Sequence, residues 1–169
     1  IVKKAGIALL AAQAAAVVTV HAIDRMRTSR IPGGVHGFPT LPPADTQIGN
    51  TVARTYTEGT SLYSDMLEAI EGATHHIYFE TFIWRSDSWG QRFKDALIAA
   101  AQRGVEVFCV WDGFGVLNQD PRFYKFPAIP NLHVRRFPTL RSGLFTLNIR
   151  RTGQDHRKIL VVDGEVGFV

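Results

Sequence analysis

The sequence has a single cysteine, Cys109, among 169 residues. One thiol forms neither an internal disulfide nor a cysteine-based metal cluster. It lies in the apolar run Val107-Phe108-Cys109-Val110-Trp111, where a thiol serves as a small core residue. No internal repeat is present, and no low-complexity tract beyond an alanine-rich start. Glycine (15) and proline (8) are too few for a collagenous chain. Hydrophobic residues at 46% against 20% charged exclude a disordered one. What remains is a globular composition with room for about one domain.

The net charge of +4 is unevenly spread. Residues 114–169 carry Arg122, Lys125, Arg135, Arg136, Arg141, Arg150, Arg151, Arg157 and Lys158 against four acids. Residues 1–113 are nearly balanced. A basic excess at one end suits solvated loops, or a surface facing the phosphates of lipid headgroups or nucleic acid.

Residues 5–23 are mostly Ala, Val, Leu and Ile, interrupted by Gln13, Thr19 and His21. Lys3 and Lys4 precede them; Asp24, Arg25, Arg27 and Arg30 follow. A helix of about 20 apolar residues matches a bilayer core. Residues 1–30 are therefore expected to form a hydrophobic helix and a single membrane anchor. The charge on its C-terminal flank places the rest of the chain in the cytoplasm. Two other readings stay open. One is a cleaved signal, since Val20-His21-Ala22 resembles a small-residue cleavage site. The other is an Ala-rich helix packed on the domain.

Residues 31–49 hold Pro32, Gly33, Gly34, Gly37, Pro39, Pro42, Pro43 and Gly49 and read as a stiffened linker. The folded domain is expected over residues 50–169. There, strand and helix patterns alternate. Strands are predicted over residues 52–57, 75–84, 105–111, 132–137 and 156–162, with a turn at Asp163-Gly164 into a last one. Leu62, Tyr63, Met66, Leu67 and Ile70 recur at helical spacing before Gly72. Ser88 with Gln91 forms a capping-box pattern for a second helix closed by Gly104. The pattern predicts an α/β fold, with a mixed, mostly parallel sheet flanked by helices. The unbroken apolar run around Cys109 predicts a sheet covered on both faces.

The chemistry is carried by Asp155-His156-Arg157-Lys158-Ile159-Leu160-Val161-Val162-Asp163-Gly164. On a strand, His156 and Lys158 project from one face. An imidazole beside an ammonium is a poor structural pair, but it makes sense if both address one anion. Lysine can neutralise a phosphate oxygen while a neutral imidazole attacks phosphorus or passes a proton. An exposed edge strand carrying the two by chance is the plainer alternative. Asp163, five residues beyond Lys158, faces away and suits a turn. Glu80, Asp112, Asp155 or a carboxylate beyond Val169 are the candidates to orient His156. For each of the first three, a local salt bridge or turn contact is the alternative.

The spacing His-x-Lys-x4-Asp, followed by Gly and set in an aliphatic run, resembles the signature of the phospholipase D superfamily. Upstream blocks are similar to its bacterial cardiolipin-synthase-like branch. They are Thr57-Glu58-Gly59, Met66-Leu67-Glu68-Ala69-Ile70, His76-Ile77-Tyr78-Phe79-Glu80-Thr81-Phe82-Ile83-Trp84, Arg103-Gly104-Val105-Glu106-Val107 and Asp112-Gly113-Phe114-Gly115. The resemblance covers roughly residues 50–169. It implies that His156 forms a phosphohistidine or acts as the acid, that Lys158 holds non-bridging oxygens, and that Asp163 belongs to the catalytic set. It implies no metal and no cofactor. It also implies a phospholipid substrate, phosphatidylglycerol, at a membrane.

Such a site needs two motifs, and this sequence has one. A fragment carrying the first half is expected, inactive unless a second motif-bearing half or a second copy completes it. Hydrolysis of phospholipid or nucleic-acid phosphodiesters is the alternative reaction. A non-catalytic module binding anionic lipid or nucleic acid is the alternative of another class.

Overall fold

The computed structural model describes residues 2–28, 40–138 and 155–169. Arg30, Arg141, Arg150 and Arg151 of the basic excess lie outside the described residues, as do residues 31–39 of the expected linker. The chain divides into two compact units, Ile1–Thr40 and Leu41–Val169.

The first unit holds helix α1 (Val2–Thr28). Among the described residues, no helix is long and apolar enough to cross a membrane. This corrects the spanning anchor expected over residues 1–30. Alanine brings little apolar surface per residue. Gln13, Thr19 and His21 interrupt the described side chains before the helix meets Asp24, Arg25 and Arg27.

In the second unit, β1 (Ala44–Ile48) and β2 (Thr51–Thr55) form an antiparallel hairpin. Its turn places Gly49 at φ +59°, the left-handed region that tight hairpin turns assign to glycine. Residues 44–48 are thus a strand, not the end of a linker; the expected boundary at Asn50 cuts this turn in two. Arg54 of β2 pairs with Asp45 at 2.7 Å and reaches Asp65 at 3.2 Å.

The rest runs α2 (Gly59–Gly72), β3 (His76–Thr81), α3 (Ser88–Gln102), β4 (Glu106–Asp112), β5 (Leu132–Phe137), β6 (Ile159–Val162) and β7 (Val166–Phe168). The five strands order as β5-β4-β3-β6-β7. β4 is parallel to β3 and β5, whereas β6 is antiparallel to β3 and β7. The sheet is mixed as expected, but parallel pairings are no majority. The return through Asp163-Gly164 accounts for one antiparallel pairing, and the reversed entry of β6 beside β3 for the other.

Burial along β3, β4 and β6 has the period of two that a strand imposes. Ile77, Phe79, Val107, Cys109, Trp111, Leu160 and Val162 face Leu67 and Ile70 of α2 and Phe93 and Leu97 of α3 in one core. Burial pushes the Cys109 thiol pKa well above its ordinary value. The expectation of two covered faces is not met by the described helices. On the other face Tyr78 stacks on Phe108 at 5.1 Å, and Phe108 on His133 at 4.8 Å.

Helix α3 starts one residue earlier than the capping box implies. Asp87, not Ser88, caps it, accepting from Gly90 N at 2.9 Å. Gln91 turns instead to Asp95. Gly104, at φ +100°, closes the helix as expected. A Cβ on Gly90 would stand 1.8 Å from the Arg85 carbonyl oxygen, while one on Gly72 would meet nothing within 4 Å. Gly90→Ala is therefore expected to cost about 1–3 kcal/mol through overpacking. Gly72→Ala, at the end of α2, should be neutral or stabilising by up to about 1 kcal/mol. Thermal melts of the two variants check the contrast.

Candidate active site

The carboxyl ends of β3 and β4 lie beside the amino end of β6. Glu80 and Asp112 stand at those ends, and residues 155–158 lead into β6. This lead-in is irregular, although a strand is predicted from His156. His156 and Lys158 still reach a common neighbour. The His156 ring lies against Phe82, with centroids 3.8 Å apart, and Lys158 Nζ is 6.0 Å from the centre of the same ring. Lys158 Nζ also donates to the His156 main-chain oxygen at 3.2 Å. Both side chains belong to exposed residues.

Arg157, between them, binds acids. Its Nε lies 3.0 Å from Asp155 Oδ1 and its Nη2 lies 2.7 Å from Glu80 Oε1. The guanidinium holds the Asp155 pKa down at about 2. The Glu80 pKa moves up, because its carboxyl is hydrogen-bonded to that of Asp155 and is partly buried.

Asp112 is 1% exposed. Its Oδ1 accepts from Phe114 N at 2.7 Å and Gly115 N at 3.2 Å, and its Oδ2 accepts from Asp155 N at 2.8 Å. One carboxylate thus joins the turn after β4 to the residue before His156. The same turn presses on Phe82, since a Cβ on Gly115 would stand 2.1 Å from the Phe82 carbonyl oxygen. Among the described residues, none of Glu80, Asp112 and Asp155 hydrogen-bonds to His156. The first and last are drawn to Arg157 and the second to backbone amides. For each of the three, the alternative of a local salt bridge or turn contact is the arrangement seen among the described residues.

Asp163 is not brought to His156 and Lys158. It sits past the other end of β6, at φ +54°. A four-residue strand between them spans roughly 13 Å. Its carboxylate accepts from Thr74 N at 2.8 Å, Thr74 Oγ1 at 2.9 Å, His75 N at 2.9 Å and His76 N at 2.8 Å. These bonds, the Thr74 amide foremost, draw its pKa well below the usual carboxylate range. The sequence points to a turn here but not to the amides that the carboxylate holds. Phe82 and Arg157 are also missed as parts of the site; nothing in their spacing marks them.

No group of three or more His, Cys, Asp or Glu residues able to hold a metal ion occurs among the described residues. No family model matches the chain. Cardiolipin synthase 1 of Bacillus anthracis is 37% identical over 136 residues, which are 79% of this chain and 25% of that protein. Cardiolipin synthase of a Geobacillus species is 37% identical over 148 residues, 83% of this chain and 28% of that protein. The chain belongs to the phospholipase D superfamily and is related to the bacterial cardiolipin synthases. It spans about a quarter of the length of the curated relatives it matches. A solved phospholipase D family member, Nuc from Salmonella typhimurium, aligns with a TM-score of 0.44 at 22% identity, covering 59% of this chain and 56% of that one.

In this phospholipase D relative, Asp163→Asn keeps the shape of the side chain and removes its charge. Hydrogen bonds to a charged acceptor contribute about 1.5–3 kcal/mol, so a loss of about 1–3 kcal/mol at pH 7 is expected. The folded-state pKa is depressed, so this contribution is present above the unfolded-state value of 3.8 and is lost as pH falls below it. Urea melts should show wild type and variant drawing together progressively as pH falls from about 5 towards about 1. A gap that stays constant on acidification would count against the charge.

Proposed function

We propose that the chain supplies one half of a phosphatidyl-transfer site that acts on phospholipid headgroups. The observation that carries this reading is the shared Phe82 ring, with His156 on it and Lys158 near it, while the acids close by are engaged elsewhere. Among the described residues no carboxylate pairs with Lys158. An exposed ammonium without a counter-ion, next to an imidazole, favours an anion. The relation to cardiolipin synthases supports a phospholipid as that anion, and phosphatidylglycerol is the substrate in this reading.

In this reading a His156 nitrogen attacks the phosphorus of one phosphatidylglycerol. The bond from phosphorus to the glycerol oxygen breaks, and glycerol leaves with a proton supplied by the acid of the other half-site. A hydroxyl of a second phosphatidylglycerol then attacks the phosphohistidine, gives up its proton, and frees His156. Two phosphatidylglycerols become one cardiolipin and one glycerol. The reverse assignment, with His156 as the acid, uses the same bonds. Lys158 would hold the non-bridging oxygens, whose charge grows as phosphorus becomes five-coordinate. A second motif-bearing half, from further chain or a second copy, completes the site. Asp163 serves it from a distance, by fixing β6 against the start of β3.

The test uses protein made from the whole reading frame that encodes this chain, with vesicles of phosphatidylglycerol and lipid mass spectrometry. New cardiolipin with released glycerol is the expected result, and His156→Ala should cut its rate at least about 100-fold. Phosphatidic acid without cardiolipin would mean hydrolysis. Salt-sensitive vesicle binding without turnover would mean a binding module. Full activity in His156→Ala would overturn the role of the histidine.

A further inference from the structure

A cavity of about 410 Å³ lies beside Lys158. Met66 of α2, Phe93 of α3, Phe79 of β3 and Phe168 of β7 contribute apolar walls. Ile83 and Tyr63 also line it and remain 49% and 39% exposed, so it opens to solvent. Glu80 is among the lining residues, but Arg157 at 2.7 Å offsets its charge. Lys158 thus keeps its attraction for an anion at the cavity wall. His156 does not line the cavity.

We infer that this cavity receives the first part of an acyl chain of the phospholipid whose phosphate Lys158 holds. The inference rests on the reading of Lys158 as a phosphoryl-oxygen ligand. The volume is within the range of small-molecule sites, and such sites are largely apolar with few polar groups that fix orientation. A ligand suited to it is apolar along most of its length and anionic at one end. Thr81, Arg85 and Asp87 add polar groups to the lining, but aromatic and aliphatic side chains make up most of it, which suits a hydrocarbon chain better than the sugar and base of a nucleotide. For a chain that enters, each buried methylene raises affinity by up to about fourfold.

Calorimetry on the full-length protein with ethyl, butyl, hexyl and octyl phosphate tests this, with the matching alcohols as controls. Affinity should climb with chain length, by up to about fourfold per methylene, until the cavity is full. Lys158→Gln should weaken every phosphate by a similar factor and keep the slope. Met66→Trp and the second filling variant Leu62→Trp should flatten it. A flat series in the wild type would overturn the inference, as would alcohols that bind as tightly as phosphates. A slope unchanged in both filling variants would do the same. If neither variant folds by circular dichroism, the wild-type series and the alcohols still decide. A flat series with phosphate binding that still depends on Lys158 would remove the acyl site and leave the transfer reading standing. Activity surviving in His156→Ala would do the reverse.

Discussion

Asp112 holds the site together from beneath. A carboxylate with 1% exposure is costly to bury unless its oxygens find donors. Here the donors are three backbone N–H groups, two from the turn after β4 and one from Asp155. The two segments must therefore stay together, or the charge is stranded. Gly115 in that turn lies against the Phe82 carbonyl, and the Phe82 ring lies against His156. The histidine is thus positioned by packing and main chain, with no carboxylate touching its ring among the described residues.

Charge is sorted by the same geometry. Arg157 gathers Asp155 and Glu80 on one side of the lead-in to β6. Lys158, next along the chain, is left with the main-chain oxygen of His156 and the Phe82 ring. A three-residue alternation of basic side chains thereby separates a compensated cluster from an ammonium that pairs with no carboxylate among the described residues. Had Arg157 turned the other way, two acids would lie unpaired beside a site meant for an anion.

Much of this was legible in the sequence because it depends on period. β3, β4 and α3 follow from apolar spacing, and the His156–Lys158 pair from its motif. Other features depend on neighbours distant in sequence. Asp163 finds its partners at Thr74–His76. Phe82 matters only because His156 arrives beside it. The cap of α3 is shifted by one residue, since Asp87 and Ser88 are both good caps and spacing alone does not choose between them. Strand β1 lay hidden in a stretch whose glycine and proline content reads equally well as a linker, although its partner β2 falls where a strand is predicted. The expected anchor failed for a different reason: an alanine-rich run has the length of a span without its apolar surface.

The bonds from Asp163 to Thr74, His75 and His76 join residues 87 to 89 positions apart. β3 therefore cannot acquire its β6 neighbour until nearly eighty further residues have been made. At ribosomal speed that is a wait of about 4–16 s. During this time one margin of β3 offers unpaired amides and carbonyls to any other extended chain. Nascent polypeptides that stop short of residue 159 keep that margin open for good. Self-association through β3 is the hazard this topology carries, and the late aspartate latch removes it.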